Sequence, residues 1–405
     1  MSTDRLDSTL VQNVKRVRLH ILRALLTVLA VGLFAQSAHA IPAFARRYRV
    51  PCQFCHNGYP KLSAIGEQFK LRGFRLEQET SDVKQWLKSV PVILRARVLT
   101  TFVEDGDSST FGIFNLITAG NLNNRFSYWF DRIWVASDGD DKDEGQTDNA
   151  WLRFELVPEE FHLRGGRMEL DIPFTQARTP NLFPYNIYFA NTGFETDSIG
   201  QYHDGGEVGG FLDDEIYWSL AVVAGRSNAD NAGFDPNLYG RIMRFFGENR
   251  AGAFALFGEN TLSRSNPDPT LGGPDVLVWN DGLFRIGADG SFDVNRLNLY
   301  GLFMYGRNDN SIADAANPEG TEEPLSFAGG FLQGDYFFWD QLTVTARLDV
   351  VSRPPEQTAD PKKTFVSFFP GFRIYLHPRV RLVVEVGFRN QDRPTVGAVE
   401  LGVAF

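Results

Sequence analysis

Cysteine is scarce in this chain of 405 residues, which contains only two. Two cysteines cannot form a disulfide scaffold, and because they lie three positions apart, at Cys52 and Cys55, they indicate a bound cofactor. Positive charge is also in deficit: the formal net charge is −10 at pH 7, which argues against a nucleic-acid-binding protein, since such proteins carry a basic face. An apolar content of 43% favours neither a disordered chain nor a helical membrane protein.

The first forty residues have the pattern of a bacterial secretory signal. A positively charged segment precedes an apolar stretch over residues 24–35, and the small-residue motif Ala38-His39-Ala40 follows as a cleavage site. The apolar stretch is shorter than the roughly 20 residues that a membrane-spanning helix needs, which argues against an N-terminal anchor. We therefore expect a signal peptide over residues 1–40, cleaved after Ala40, and a mature protein that leaves the cytoplasm.

Residues 52–56 read Cys-Gln-Phe-Cys-His, the attachment motif of c-type haem. The two thiols add across the two vinyl groups of haem, and a histidine directly after the second thiol is placed to ligate the iron. A zinc site would need two further ligands in a chain that has no other cysteine, and a thioredoxin-like pair would need a parallel sheet. We therefore predict one covalently attached haem c on Cys52 and Cys55, with His56 as the proximal iron ligand.

Residues 41–88 are predicted to form a small α-helical haem domain. Behind a turn at residues 57–60, apolar residues recur at helical spacing, which indicates either one wall of a haem pocket or a helix face packed on protein; they are Leu62, Ile65, Gly66 and Phe69, with Phe74 beyond them. No histidine or methionine lies between Asn57 and Trp86. The sixth iron ligand therefore comes from the rest of the chain, with His203 or His162 as candidates, or the iron site is open or has a weaker ligand.

The remainder of the chain has the pattern of a membrane β-barrel. No stretch between residues 91 and 405 approaches about 18 consecutive apolar residues, and segments of about ten residues instead alternate apolar with polar side chains. Short connections such as Asn295-Arg296 alternate with long polar ones such as residues 309–324, as short periplasmic turns alternate with long external loops. We therefore predict an all-β membrane protein, a 16-stranded antiparallel outer-membrane β-barrel over residues 91–405.

Sixteen strands enclose a lumen wide enough for water and more. The alternation predicts a charged lumen wall that includes Arg95, Arg97, Arg347, Asp349, Arg373, Arg381, Glu385, Arg389 and Glu400. The longest external connection, residues 172–204, is expected to fold into the lumen by analogy with general porins. An even strand number places both ends of the barrel on the periplasmic side, where the haem domain begins, and we expect that domain inside the lumen.

Residues 41–74 carry a resemblance to a known family. The matching residues are Ile41-Pro42-Ala43-Phe44-Ala45-Arg46-Arg47-Tyr48, the Cys-x-x-Cys-His motif, Tyr59-Pro60-Lys61-Leu62, Gly66, Phe69-Lys70 and Gly73-Phe74. In this pattern the chain resembles the fused outer-membrane cytochrome–porins, single-haem proteins in which a short c-type domain precedes a barrel. Arg49-Val50-Pro51 departs from the small, glycine-containing step that this family has before the first cysteine. The best-known members are ferrous iron oxidases, and over the barrel the agreement is in architecture alone.

The resemblance implies an electron conduit of the bacterial outer membrane. Electrons would pass from an extracellular donor, with Fe(II) as the first candidate, through the haem c to a periplasmic c-type cytochrome or similar redox partner. The protein would then act as a ferrous iron oxidase, with outer-membrane lipid as a partner and no nucleic acid. Two alternatives stay open: a diffusion porin whose haem domain is a plug or structural element, and a conduit for a different donor or acceptor.

Overall fold

A computed structural model describes most of the chain beyond the predicted signal. The described residues are 43–76, 90–104, 106–137, 145–172, 181–189, 199–225, 235–265, 276–309, 324–353, 363–377, 379–390 and 395–404. The predicted signal at residues 1–40 lies outside these ranges, as does the end of the predicted haem domain. Among the described helices, none has the length and apolar character to cross a membrane.

Three helices form the N-terminal segment, which we define as residues 43–76. They are α1 (Ala43–Tyr48), α2 (Cys52–Cys55) and α3 (Ala64–Leu71). Helix α3 begins behind Ser63, whose side-chain oxygen accepts a hydrogen bond from the Gly66 amide at 3.2 Å, and such a cap satisfies one of the free amide groups of the first turn. The helical spacing noted in the sequence therefore does form a helix.

Sixteen antiparallel strands follow in the described residues and close into a barrel. Strands β1 to β8 are Val92–Val103, Ser108–Asn121, Phe126–Ser137, Gln146–Val157, Phe161–Glu169, Tyr202–Phe211, Ile216–Ala224 and Pro236–Phe246. Strands β9 to β16 are Asn249–Ser265, Val276–Val294, Leu297–Asn308, Leu325–Trp339, Leu342–Arg353, Lys363–His377, Val380–Arg389 and Val396–Ala404. Each strand pairs with its sequence neighbours, and β1 pairs with β16, so the predicted 16-stranded antiparallel barrel is confirmed.

The two faces of each strand differ as the alternation predicts. On β4, Leu152 is 62% exposed, whereas its neighbours Trp151 and Arg153 are buried on the opposite face. The same contrast recurs on β15, where Phe388 is exposed and Glu385 is buried. An outward apolar face and an inward polar face are typical of a barrel that is surrounded by lipid.

Much of the lumen is filled by side chains. A large buried apolar cluster joins inward residues of β7–β13 to the segment 181–189, which ends in a short 3-10 helix at Asn186–Phe189. Leu170 and Ile172, which follow the end of β5, belong to the same cluster. The ring of Tyr185 stacks on that of Phe331 with centroids 3.9 Å apart. Backbone amides anchor the segment, since Leu182 donates to Glu385 at 2.6 Å and Asn186 donates to Asp349 at 3.0 Å. The described part of the longest external connection therefore lies in the lumen, as expected.

Candidate functional site

A buried lysine joins the N-terminal segment to one wall of the barrel. The Nζ atom of Lys61 lies 2.6 Å from Asp335 on β12 and 2.6 Å from the side-chain oxygen of Asn298 on β11. Arg373 on β14 holds the same aspartate oxygen at 2.9 Å, and the ammonium group lies 4.0 Å from the centroid of the Tyr300 ring. This cluster was not predicted, because its members are more than 230 positions apart from Lys61 in sequence.

Other contacts join the N-terminal segment to different walls. They are the ion pair of Glu67 with Arg250 on β9, the hydrogen bond from Arg153 on β4 to the carbonyl of Leu71, and the hydrogen bond from Arg381 on β15 to the carbonyl of Tyr59. Strands β4, β9, β11, β12 and β15 are spread around the closed barrel. A segment that contacts all of them lies inside the lumen.

The Cys-x-x-Cys-His motif lies within this enclosed segment. Cys52 and Cys55 are half-buried and form no disulfide, and burial raises the pKa of Cys55 to about 11. Burial also lowers the pKa of His56 to about 4, and hydrogen bonding to the backbone of Lys61 and Pro60 opposes this shift. The two thiols and the imidazole that the sequence singled out are thus held together inside the barrel.

Helix α3 packs directly on the backbone of the motif. The Ser63 amide donates to the carbonyl of Cys55 at 2.9 Å, and a Cβ atom added to Gly66 would lie only 2.0 Å from that carbonyl oxygen. No side chain fits at that distance, so glycine is required for this close approach. Ile65 differs from the expectation for this helix: it is 38% exposed and does not line the cavity described next.

An apolar cavity of about 220 Å³ adjoins the motif. Cys52, Cys55 and His56 line it together with apolar residues of α1, α3, the connecting turns and β3: Phe44, Tyr48, Leu62, Phe69, Phe74 and Trp129. The rings of Phe44 and Phe74 stack at 5.4 Å, and Phe69 meets Phe44 edge-on at 5.2 Å. The cavity therefore combines two thiols and an imidazole with an aromatic wall, which is the chemistry that a covalently held macrocycle requires.

The two histidines predicted as distal ligands lie elsewhere in the lumen wall. His162 on β5 is fully buried, and its Nε2 atom lies 3.2 Å from Glu207, which also pairs with Arg164 at 2.5 Å. His203 on β6 is buried opposite Met168 in the strand register. Neither histidine lines the cavity beside the motif, and a distal role for His203 or His162 stays a prediction.

Comparisons with known proteins agree on the barrel. No protein-family model matches the chain, and no curated protein matches it. Solved structures with a similar fold include OmpT of Vibrio cholerae, with a TM-score of 0.56 and 11% identity over 78% of this chain and 99% of that one. The outer membrane channel DcaP of Acinetobacter baumannii has a TM-score of 0.55 and 11% identity, over 78% of this chain and 97% of that one. An anion-selective porin from Comamonas acidovorans has a TM-score of 0.56 and 13% identity, over 78% of this chain and 98% of that one.

At such identities the likeness shows the fold alone. The class that the fold defines is the outer-membrane β-barrel of porin type, and this confirms the predicted fold class. With its apolar outer face, the barrel belongs in the lipid of the bacterial outer membrane, as predicted. The predictions of signal cleavage and of haem attachment remain predictions.

Proposed function

We propose that the protein is an outer-membrane electron-transfer barrel that carries one haem c, covalently attached through Cys52 and Cys55 with His56 as proximal ligand. Electrons pass from an extracellular donor, with Fe(II) as the first candidate, to a periplasmic c-type cytochrome or similar carrier. The observation that carries the proposal is the position of the motif, whose thiols and buried imidazole lie together inside the lumen beside an apolar cavity.

The residues of the cavity fit a haem group. Neither thiol is in a disulfide, so both are available for thioether bonds, and the stacked and edge-on rings of Phe44, Phe69 and Phe74 suit the apolar faces of a macrocycle. Haem c supplies reversible one-electron chemistry, with a potential that axial ligands and burial adjust.

The chain holds the motif in place. The ion pair of Lys61 with Asp335 fixes the turn that follows His56, and α3 is packed on the carbonyl of Cys55 through Gly66. The aromatic wall gives the cavity a low dielectric, which disfavours the more highly charged oxidation state of a bound metal centre. The ion pair and the helix packing would fix the position of the attached group, and the aromatic wall would raise its potential.

The filled lumen favours electron transfer over free diffusion of solutes. The N-terminal segment and the segment 181–189 both lie in the lumen, and inward side chains of β7–β13 pack on the second of these. Electrons need no aqueous path, whereas solutes do. We therefore rank the conduit above a channel for small molecules.

A diffusion porin with a plug is the second candidate. The comparisons favour it, because the similar structures include a channel and an anion-selective porin. In this alternative the N-terminal segment is the plug or a structural element. Conductance in a planar bilayer separates the two functions: the conduit stays closed to ions under an applied potential, and a porin gives stepwise currents.

The test of the main proposal uses the purified protein in detergent. We expect one covalently bound haem by mass and by the pyridine haemochrome spectrum, and none in the variant that combines Cys52→Ser and Cys55→Ser. Rapid appearance of reduced c-type bands on anaerobic addition of Fe(II) supports ferrous iron oxidation. A haem that dithionite reduces and Fe(II) does not would remove Fe(II) as the donor, and wild-type protein without covalent haem would contradict the proposal.

A further inference from the structure

The cavity beside the Cys-x-x-Cys-His motif has an excess of positive charge. Its cationic side chains in the described residues are Lys70, Arg95, Arg97, Arg379 and Arg381, and its acidic ones are Asp131 and Glu169. Burying unpaired charge in an apolar environment is costly, so charged groups in such a place are normally paired. The arginines that lack a full partner therefore indicate where an anion binds.

One carboxylate serves two of these arginines. Glu400 on β16 accepts hydrogen bonds from Arg381 at 2.6 Å and 3.2 Å, and the same carboxylate lies 3.4 Å from Arg97 on β1. The Nε atom of Arg97 is buried without an acceptor among the described residues. Arg381 is thus neutralised, whereas Arg97 shares a counterion that is already engaged.

The positive charge of Arg95 is balanced less well than that of Arg97. It lies two residues before Arg97 on the same inward face of β1, is only 8% exposed, and donates through Nε and Nη2 to the neutral side chain of Asn115 at 3.2 Å and 3.1 Å. No carboxylate of the described residues forms an ion pair with its guanidinium, and Asp131 on β3, which also lines the cavity, acts on it only over a longer distance. Two residues along a strand span about 7 Å, so β1 presents two adjacent guanidinium groups to the cavity.

We propose that Arg95 and Arg97 bind the two propionate carboxylates of the haem; the proposal rests on the haem attachment proposed above. Guanidinium and carboxylate groups form strong, often bidentate, charge-assisted hydrogen bonds, and two neighbouring arginines match a ligand with two carboxylates on one edge. The thioether bonds then hold the macrocycle to the N-terminal segment, and the propionates hold it to β1. The haem itself links the segment to the barrel wall.

Two carboxylates beside two guanidiniums also affect the redox equilibrium. A positive charge near the iron favours the reduced state, which carries one positive charge less. Replacing Arg95 or Arg97 by glutamine removes one such charge. At an effective dielectric of about 20 and a separation of roughly 12 Å, this changes the ratio of reduced to oxidised haem about tenfold, or about 59 mV for a one-electron couple.

The experiment measures the midpoint potential of wild type, Arg95→Gln, Arg97→Gln and a control, Arg285→Gln. Arg285 is a buried lumen arginine on β10, held by the carbonyl of Phe284 and the side chain of Asn308, and it does not line the cavity. We expect a downward shift of about 59 mV in the two cavity variants, with Arg97→Lys and the control close to wild type. Covalent haem with an unshifted potential in both cavity variants would overturn the inference.

Haem content separates this failure from that of the proposed function, because wild-type protein without covalent haem contradicts the attachment itself. If Arg95→Gln gives no folded barrel, Arg95→Lys replaces it. Lysine keeps the charge and loses the bidentate geometry, so the propionate bending bands of the resonance Raman spectrum shift if the contact exists. Unshifted bands in Arg95→Lys overturn the inference.

Discussion

Replacement of Lys61 by methionine is expected to loosen the N-terminal segment while leaving the barrel intact. The lysine side chain is 3% exposed and the Asp335 side chain is fully buried, with 2.6 Å between Nζ and Oδ2. Methionine has a similar length and no charge. The substitution therefore removes one partner of a buried ion pair, a hydrogen bond to Asn298, and a contact of the cation with the Tyr300 ring.

The size of the expected loss in stability depends on the ion-pair partner that Asp335 keeps after the substitution. Removing one partner of a buried pair costs about 3–5 kcal/mol when the other charge is left uncompensated. Asp335 keeps Arg373 at 2.9 Å, so the loss is expected at the lower end of this range. At 1.4 kcal/mol for each factor of ten, a loss of about 3 kcal/mol lowers the protection of the docked segment roughly 100-fold.

Hydrogen–deuterium exchange with mass spectrometry measures this loss by region. We expect faster exchange in peptides from residues 43–76 of Lys61→Met and unchanged exchange in β9 and β10. The matched control is Arg244→Met, since Arg244 pairs with Glu215 at 3.1 Å with both side chains more than half exposed. Exposed pairs contribute about 0–1 kcal/mol, so the control should stay near wild type. Protection within threefold of wild type in Lys61→Met would refute the reasoning.

Three further predictions address the motif and the lumen. Gly66→Ala should reduce haem incorporation at least about tenfold, measured as haem per folded barrel, because its Cβ would meet the Cys55 carbonyl at 2.0 Å. In haem-free protein, alkylation of Cys55 by iodoacetamide should be about 200-fold slower at pH 8 than that of a free thiol and rise about tenfold per pH unit up to pH 10, because burial raises its pKa to about 11 and only the thiolate reacts. Glu385→Ala leaves the amides of Leu182 and Phe183 without their acceptor and should raise bilayer conductance events at least about tenfold.

Each of these predictions has a control in the same chain or assay. Gly112→Ala is matched to the glycine variant, since its Cβ would have no neighbour nearer than 3.8 Å, and its haem content should equal that of wild type. For the thiol, an alkylation rate equal to that of a cysteine peptide would contradict the effect of burial. For the lumen, Glu248→Gln on an exposed turn should leave conductance unchanged, and equal currents in Glu385→Ala and wild type would contradict the anchoring role.

The strands and their faces could be predicted because both follow from local alternation. Because side chains alternate with a period of two, Leu152 is assigned to the lipid face and Arg153 to the lumen face without reference to other strands. The lipid around the barrel requires an apolar outer face, so the difference in polarity between the two faces is large. The attachment motif is local as well, since the spacing of Cys52, Cys55 and His56 is set by five consecutive residues. The exposure of Ile65 could not be predicted, because it depends on which side of α3 meets the barrel.

The environment of the motif depends on contacts that no local pattern carries. The alternation along β5 predicts that His162 faces the lumen, and it does. The alternation does not show which lumen-facing residues lie at the same height in the barrel, or which of them already have hydrogen-bond partners. Glu207 lies within hydrogen-bond distance of the Nε2 atom of His162, and the cavity takes its charged wall from Arg95 and Arg97 on β1 instead. Those two arginines were predicted as lumen residues without a ligand, because no local pattern shows that Arg97 shares Glu400 with Arg381. The sequence therefore predicts only part of a site that lies between a local motif and a closed barrel. The residues of covalent attachment are consecutive and can be recognised directly, whereas the residues of the surrounding cavity wall can be identified only from the strand register of the barrel.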